Sequence, residues 1–312
     1  MFWYSVGGIQ LRSEIALVSL PFAANAEPSK KEISLELRQL ELGEPDRWLY
    51  NEEAPDTGEP WRAVGTLGAN YLVRLFGFAD FLLEKAARRV TVSVARGGEL
   101  GAVEPLFLEQ VLPLFWSLVG EPCLHASAVL WGEGEMAQAV AFAGRSRSGK
   151  STLASALAGA GGLLSDDCLV VELGDGCVWA HPGTRSVRLL ADSAKALFLS
   201  ESAGEVSADG SKRRVEVGSH VYAVRLARVY LLKPVAPNEP AQIEGLGWRD
   251  AVAQLAGCAF RINPEDAESL ALELRTLDEI AMKTAVKTLA VPRRYDAFDE
   301  VRNVIAQDLQ GN

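Results

Sequence analysis

Residues Gly144 to Ser151 read Gly-Arg-Ser-Arg-Ser-Gly-Lys-Ser, followed by Thr152. This G-x-x-x-x-G-K-[ST] spacing suits a bound polyphosphate. Gly144 and Gly149 allow a tight turn that aims successive backbone N–H groups at an anion. Lys150 supplies a cation for the β- and γ-phosphates, and the Ser151 hydroxyl can ligate Mg²⁺. The candidate nucleotide contacts are therefore Gly144, Arg145, Ser146, Arg147, Ser148, Gly149, Lys150, Ser151 and Thr152. Asp166 and Asp167 stand fifteen and sixteen residues after Ser151. Paired carboxylates beside a Mg²⁺-nucleotide have two natural tasks: one binds the metal, and the other accepts a proton from an attacking hydroxyl. Asp-Asp also suits a surface turn or a helix cap, so the pair gains its meaning from the loop upstream. His125, in the small-residue run Leu124 to Val129, reads either as a satisfied core histidine or as part of the same site.

These residues need elements to hold them. Ala137 to Ala143 is a mostly apolar run of strand length, and Thr152 to Gly159 is a strong helix former. Strand, glycine loop and helix N-terminus together make an anion site, because free N–H groups and the helix dipole favour negative charge. A helix of about three turns and a short loop would return the chain beside the glycine loop at Asp166. Leu163 and Leu164 then read as the end of a buried strand, with both aspartates at its carboxyl edge, where ligands of α/β folds bind. Leu124 to Leu130 and Ala137 to Ala143 suit a hairpin turning at Gly132 to Glu135, and Leu169 to Leu173 with Val178 to Ala180 a second one turning at Gly174 to Gly176.

Around this centre the pattern is plainer. The first hundred residues are β-rich, with strands expected at Phe2 to Val6, Glu32 to Leu37, Tyr71 to Leu75 and Val90 to Val94, and an extended surface loop from Glu41 to Pro60. Pro105 to Val119 has the apolar spacing of a buried helix, with a kink expected at Pro113. Beyond the site, a strand at Leu226 to Leu232 should end at Pro234, and helices are expected at Arg249 to Leu255, Glu268 to Ala290 and Asp296 to Leu309. The division this implies is a β-rich region over 1–100 and a catalytic domain over 101–312.

Composition limits the partners. The chain has 312 residues, 48% hydrophobic and 23% charged, as in an ordinary globular protein. A net charge of −10 argues against a nucleic-acid partner, which calls for a basic face. The four cysteines, Cys123, Cys168, Cys177 and Cys258, form no C-x-x-C pair and suit buried thiols in a reducing compartment. Ile15 to Ala24 is apolar and Ala24 to Ala26 resembles a leader cleavage site, but Glu14 beside Arg12, Ser19 and Pro21 interrupt that pattern, so folded strand and loop is expected. No stretch reads as the ~20 apolar residues of a membrane span, and a cytoplasmic location, where ATP is, follows. His181 and His220 read as structural. Lys212, Arg213 and Arg214 form a basic run that is either solvated surface or a loop able to neutralise transition-state charge.

The order of His125, the loop at Gly144 to Ser151, and Asp166 with Asp167 resembles the catalytic domain of HPr kinase/phosphorylase. That bacterial kinase has a core similar to that of phosphoenolpyruvate carboxykinase. The resemblance implies an α/β fold with a P-loop kinase core and a β-rich N-terminal region. Residue by residue, it implies Asp167 as proton acceptor, His125 as the active-site histidine, Lys150 and Ser151 as phosphate and metal contacts, and Asp166 with Ser151 on the metal. Tyr4 to Glu14, Leu124 to Val129 and His181 to Leu190 also look like HPr-kinase-related proteins of peptide-modification and lasso-peptide clusters. The implied activity is ATP- and Mg²⁺-dependent phosphorylation of a Ser or Thr hydroxyl on a protein or peptide acceptor, in a homo-oligomer. The chain departs from the family in three ways. The HPr-recognition signature is not recognisable. A glutamate ligand after the aspartate pair has no match beyond Glu172, which lies too close. The family's catalytic arginine could fall at Arg213 or Arg214. A nucleotide-binding regulator without transfer, an NTPase and a kinase of a small-molecule alcohol stay open beside the kinase reading.

Overall fold

The computed structural model describes residues 1–23, 31–54, 57–158, 162–174, 176–184, 186–197, 205–206, 212–216 and 222–311. The chain divides into two compact units, one of Met1–Gly120 with Arg261–Ala267 and one of Glu121–Phe260 with Glu268–Asn312.

The first unit is an eight-stranded sheet in the order β1-β2-β3-β8-β7-β6-β5-β4. Its strands are β1 (Phe2–Val6), β2 (Ile9–Ser13), β3 (Glu32–Leu37), β4 (Arg47–Glu53), β5 (Pro60–Leu67), β6 (Asn70–Leu75), β7 (Ala79–Glu84) and β8 (Arg89–Val94). Residues 15–20 form a loop in which Ile15, Leu17 and Leu20 are buried and Val18 is exposed, with Leu17 N–H donating to the Tyr4 hydroxyl at 2.8 Å; Ala24 to Ala26 lie outside the described residues. β4 corrects the expected loop at 41–60. Its polar residues face outward at an edge, while Trp48 is half-buried under the Arg74 guanidinium, 5.5 Å from the ring centroid. The apolar helix runs from α1 (Val103–Leu106) through a π-helical stretch, Phe107–Val111, into α2 (Leu112–Val119). The irregularity precedes Pro113, which lacks the N–H that would continue the ladder. Its Phe107 stacks on Phe81 of β7 with centroids 6.5 Å apart, so the helix joins this unit and the division falls at Gly120 instead of residue 100. The helical run Leu100–Val119 is long and apolar enough to cross a membrane by length and composition, contrary to the reading that no stretch is. Its window is 67% buried inside the fold, as in a core helix.

The second unit is a mixed α/β domain. Its strands are β9 (Cys123–Leu124), β10 (Ala126–Trp131), β11 (Gln138–Ala143), β12 (Leu163–Ser165), β13 (Leu169–Leu173), β14 (Val178–Ala180), β15 (Ser186–Leu190), β16 (Glu205–Val206), β17 (Lys212–Glu216), β18 (Val224–Val235), β19 (Gln242–Gly245) and β20 (Ala285–Pro292). Its helices are α3 (Lys150–Ala158), α4 (Ala191–Ala196), α5 (Trp248–Ala256), α6 (Ala267–Lys283) and α7 (Phe298–Gln310). β11 and β20 lie parallel to β18 on its two sides, and β10 is antiparallel to both β11 and β12. Strand alternation sorts the side chains. Ala139, Ala141 and Ala143 of β11 pack with Leu255, Leu277 and Ile280 of α5 and α6. Val140 and Phe142 pack with Leu153 and Leu157 of α3 and with Val301 and Ile305 of α7. Helices thus cover both faces of the sheet.

Two expectations in this unit are corrected. Residues 285–290 form strand β20, not the end of a helix: Thr284 closes the helix with a 2.8 Å bond to Ile280 O, and the β-branched residues Val286 and Thr288 continue beside β18. β18 also runs through Pro234 to Val235. Past Leu231 it has lost β11 and keeps β20 on one side only, where a residue without N–H is tolerated.

Candidate active site

The register places the chemistry at one edge of this sheet. Ala126 pairs with Ala143 and Ala128 with Ser165, so the start of β10 lies between the ends of β11 and β12. The glycine loop leaves the end of β11, the aspartates leave the end of β12, and His125 enters β10 at the same edge. The long-range pairings expected of these motifs are therefore present.

Gly144 and Gly149 have φ of 147° and 96°, and Arg147 adopts 64°, so the loop coils through conformations that favour glycine. A side chain at Gly144 would press on Ser148 Oγ at 3.1 Å. Arg145, Ser146 and Arg147 are exposed, whereas Lys150 is buried. The Lys150 ammonium is held over the loop by the carbonyls of Gly144 at 2.9 Å and Arg145 at 3.0 Å. Ser148 Oγ is buried with no hydrogen-bond partner among the described residues. A buried hydroxyl without a partner in a native fold calls for an explanation such as an absent ligand.

Asp166 is buried beyond the end of β12. Its Oδ1 accepts from Ser127 Oγ at 2.7 Å and its Oδ2 from the Arg188 backbone N–H at 3.0 Å. Burial pushes its pKa up, the neighbouring Asp167 charge adds to that, and hydrogen bonds from Arg188, Ser127 and Ser151 oppose it. Asp167 turns away at φ 60°, closed by a 2.7 Å bond from Cys168 N–H to Asp166 O, a three-residue turn that only a few residue types accept. Its carboxylate pairs with the Arg188 guanidinium. His125 meets the backbone of this turn: Nδ1 lies 3.0 Å from Asp167 O. A carbonyl only accepts, so the proton sits on Nδ1. The imidazole also stands edge-on to Phe260, and its backbone N–H donates to Cys258 O at 2.6 Å.

Ser151 and Asp166 offer the hard oxygen donors that Mg²⁺ takes, with the remaining ligands coming from phosphate and water. Among the described residues, no group of three His, Cys, Asp or Glu side chains could hold a metal, so a cation here would share its shell with phosphate oxygens.

Sequence reasoning missed Arg188 and Ser127. Arg188 sits on β15 between buried Val187 and Leu189, so alternation alone marks it as a charged residue on the opposite face. It places a guanidinium on Asp167. The side chains of Arg213 and Arg214 lie outside the described residues; their backbone is in β17, with Arg214 opposite Arg188 in register. Glu172 hydrogen-bonds His181 Nε2 at 2.9 Å beside the β13–β14 hairpin, which accounts for the buried histidine structurally. His220 lies outside the described residues.

No family model matches the chain, and no curated protein sequence matches it. Among solved structures it is similar to the HPr(Ser) kinase/phosphatase from Coxiella burnetii, with a TM-score of 0.30 and 14% identity over 61% of this chain and 99% of that one. Likeness at that level leaves the function to be argued from the site itself.

Proposed function

We propose that the second unit is an ATP-dependent phosphotransferase acting on a Ser or Thr hydroxyl of a protein or peptide. The observation that carries the reading is the strand register, Ala126 opposite Ala143 and Ala128 opposite Ser165, which brings a phosphate-type loop and a pair of carboxylates to one edge of the sheet. The β- and γ-phosphates lie in Gly144 to Thr152 against the N-terminus of α3, with Lys150 shifting from the loop carbonyls onto phosphate oxygens and Ser148 Oγ donating to one of them. Ser151 and Asp166 would hold Mg²⁺, which when bound neutralises phosphate charge. Asp167, oriented by Arg188, takes the proton of the acceptor hydroxyl. The hydroxyl oxygen bonds to the γ-phosphorus, the bond from that phosphorus to the β–γ bridging oxygen breaks, and ADP leaves with the electron pair. His125 fixes the Asp167 backbone from the other side and acts as a positioning residue.

Incubation with γ-labelled ATP, Mg²⁺ and a Ser/Thr peptide pool tests this. Labelled peptide is expected from the wild type and none from Lys150→Ala or Asp167→Asn, with unchanged circular dichroism. Full transfer by Asp167→Asn would remove the proposed base. ATP binding without labelled peptide would leave a nucleotide-binding regulator, and peptide-independent ADP release an NTPase.

A further inference from the structure

With its γ-phosphate toward Asp166 and Asp167, a nucleotide can extend its nucleoside in the opposite direction along the sheet edge. The strand order there is β12, β10, β11, β18, β20, so that direction runs past β18 and β20. Those two strands continue beyond the end of β11: Ala143 pairs with Leu231, while β18 and β20 stay paired as far as Val235 and Pro292. Four further residues at roughly 3.3 Å each raise a wall of about 13 Å beside the loop.

Tyr295 stands just past that wall. Its hydroxyl is 3.4 Å from Ser193 Oγ, which in turn takes the Thr152 hydroxyl at 3.1 Å. Thr152 is the third residue of α3, directly after Ser151, so this hydroxyl chain places the ring beside the first turn of α3, next to where the chain of phosphates would emerge. The ring is braced by Phe298 at a centroid distance of 6.2 Å and is still 46% exposed. A large aromatic side chain anchored at two points and open to solvent beside an anion site is a platform for a planar ring.

Resting on the phosphotransferase reading, we infer that Tyr295 is the base-stacking residue of the nucleotide site, selecting nucleoside triphosphates over inorganic polyphosphate. Stacking contributes little hydrogen-bond readout, so the subsite accepts purines broadly.

Calorimetric titration of the whole chain with ATP and with inorganic tripolyphosphate, both with Mg²⁺, tests this. Wild type should bind ATP at least about tenfold more tightly than tripolyphosphate, on the scale of base–aromatic stacking. Tyr295→Leu and Tyr295→Ala should lose that margin, with tripolyphosphate affinity within about twofold of wild type, and Tyr295→Phe should keep it. Tyr295→Leu retains an apolar contact for Phe298, so the comparison survives if the alanine variant does not fold. Equal ATP affinity in wild type and Tyr295→Leu would overturn the inference, as would equal weakening of both ligands. A wild type that binds neither ligand would overturn the phosphotransferase reading, and this one with it.

Discussion

Replacing Asp166 by Asn should make the unliganded protein more stable while removing its Mg²⁺-dependent chemistry. The Asp166 carboxylate is 7% exposed and adjoins a second carboxylate. Hydrogen bonds to a charged acceptor return about 1.5–3 kcal/mol each, against a cost of several kcal/mol for a carboxylate buried in low dielectric. The pKa is raised despite Arg188, Ser127 and Ser151, so burial and the Asp167 charge win, and the ionised form of Asp166 is disfavoured in the folded state. Asn keeps the shape. Its Oδ1 can take the Arg188 N–H while its amide donates to Ser127 Oγ, a hydroxyl that can turn and accept. Because the folded pKa is above the unfolded one, the folded state holds this proton more tightly. Wild-type stability therefore declines as pH rises from about 3.9 through the folded value and then levels off, whereas Asn has no such decline. Melting of both proteins by calorimetry from pH 4 to pH 8 should show little difference at the acid end and a variant higher by about 2–8 °C at pH 8, the shift that a single-substitution effect of about 1–2 kcal/mol produces in a domain of this size. Mg²⁺·ATP should raise the melting temperature of the wild type and not of the variant. A variant that melts lower at pH 8, or a gap that does not change with pH, would refute the reasoning.

Other substitutions probe the framework. Asp308 accepts from Lys287 Nζ at 2.5 Å, Tyr230 OH at 2.8 Å and Arg228 Nε at 3.3 Å; burial would raise its pKa, but the bonds from Lys287, Tyr230 and Arg228 prevail and lower it. Asp308→Ala should cost about 2–4 kcal/mol by chemical denaturation at neutral pH, since it strands buried donors. A lowered folded pKa makes that contribution full above the unfolded value and lost as pH falls through the folded one, so the gap should close in acid. Gly183 donates its N–H to Leu164 O at 2.9 Å, and a Cβ there would collide with the Ser165 hydroxyl. Gly183→Ala should lower stability by about 1–3 kcal/mol and displace the turn at Asp166; an unchanged denaturation midpoint would contradict the close approach. Ser127→Ala should reduce transfer by raising the cost of ionised Asp166, with a pH–rate profile moved to higher pH; an unmoved profile would argue that Ser127 only fills space.

Local signals were legible and distant ones were not. The glycine loop, its strand and its helix are contiguous, and each residue type answers a backbone or phosphate requirement within a few positions, so they were readable directly. The β10–β11 hairpin was equally local. β20 was misread because Ala285 to Ala290 continues from a true helix with residues that accept either state; what makes them a strand is pairing with β18, some sixty positions away in register. β4 hid for the opposite reason, an edge strand being polar enough to resemble a loop. The helix at Leu100–Val119 carried enough apolar residues to satisfy a core or a bilayer, and burial decides which description fits.

The site divides in the same way. Lys150, Ser151 and the two aspartates could be nominated because loop and helix length alone bring the chain back after Ser151. Arg188 reaches them through a separate three-stranded sheet, and nothing in Ser186 to Leu190 beyond one charge among buried neighbours points to Asp167. The two carboxylates differ in what holds them. Asp166, bonded to Ser127 and to a backbone N–H, is fixed in place and suits a metal. Asp167 is held by a flexible cationic side chain on a strained turn, and only that carboxylate can exchange one hydrogen-bond donor for another as an acceptor hydroxyl arrives. Under the proposed phosphotransferase reading, the division of labour between the two adjacent aspartates follows from what each is bonded to.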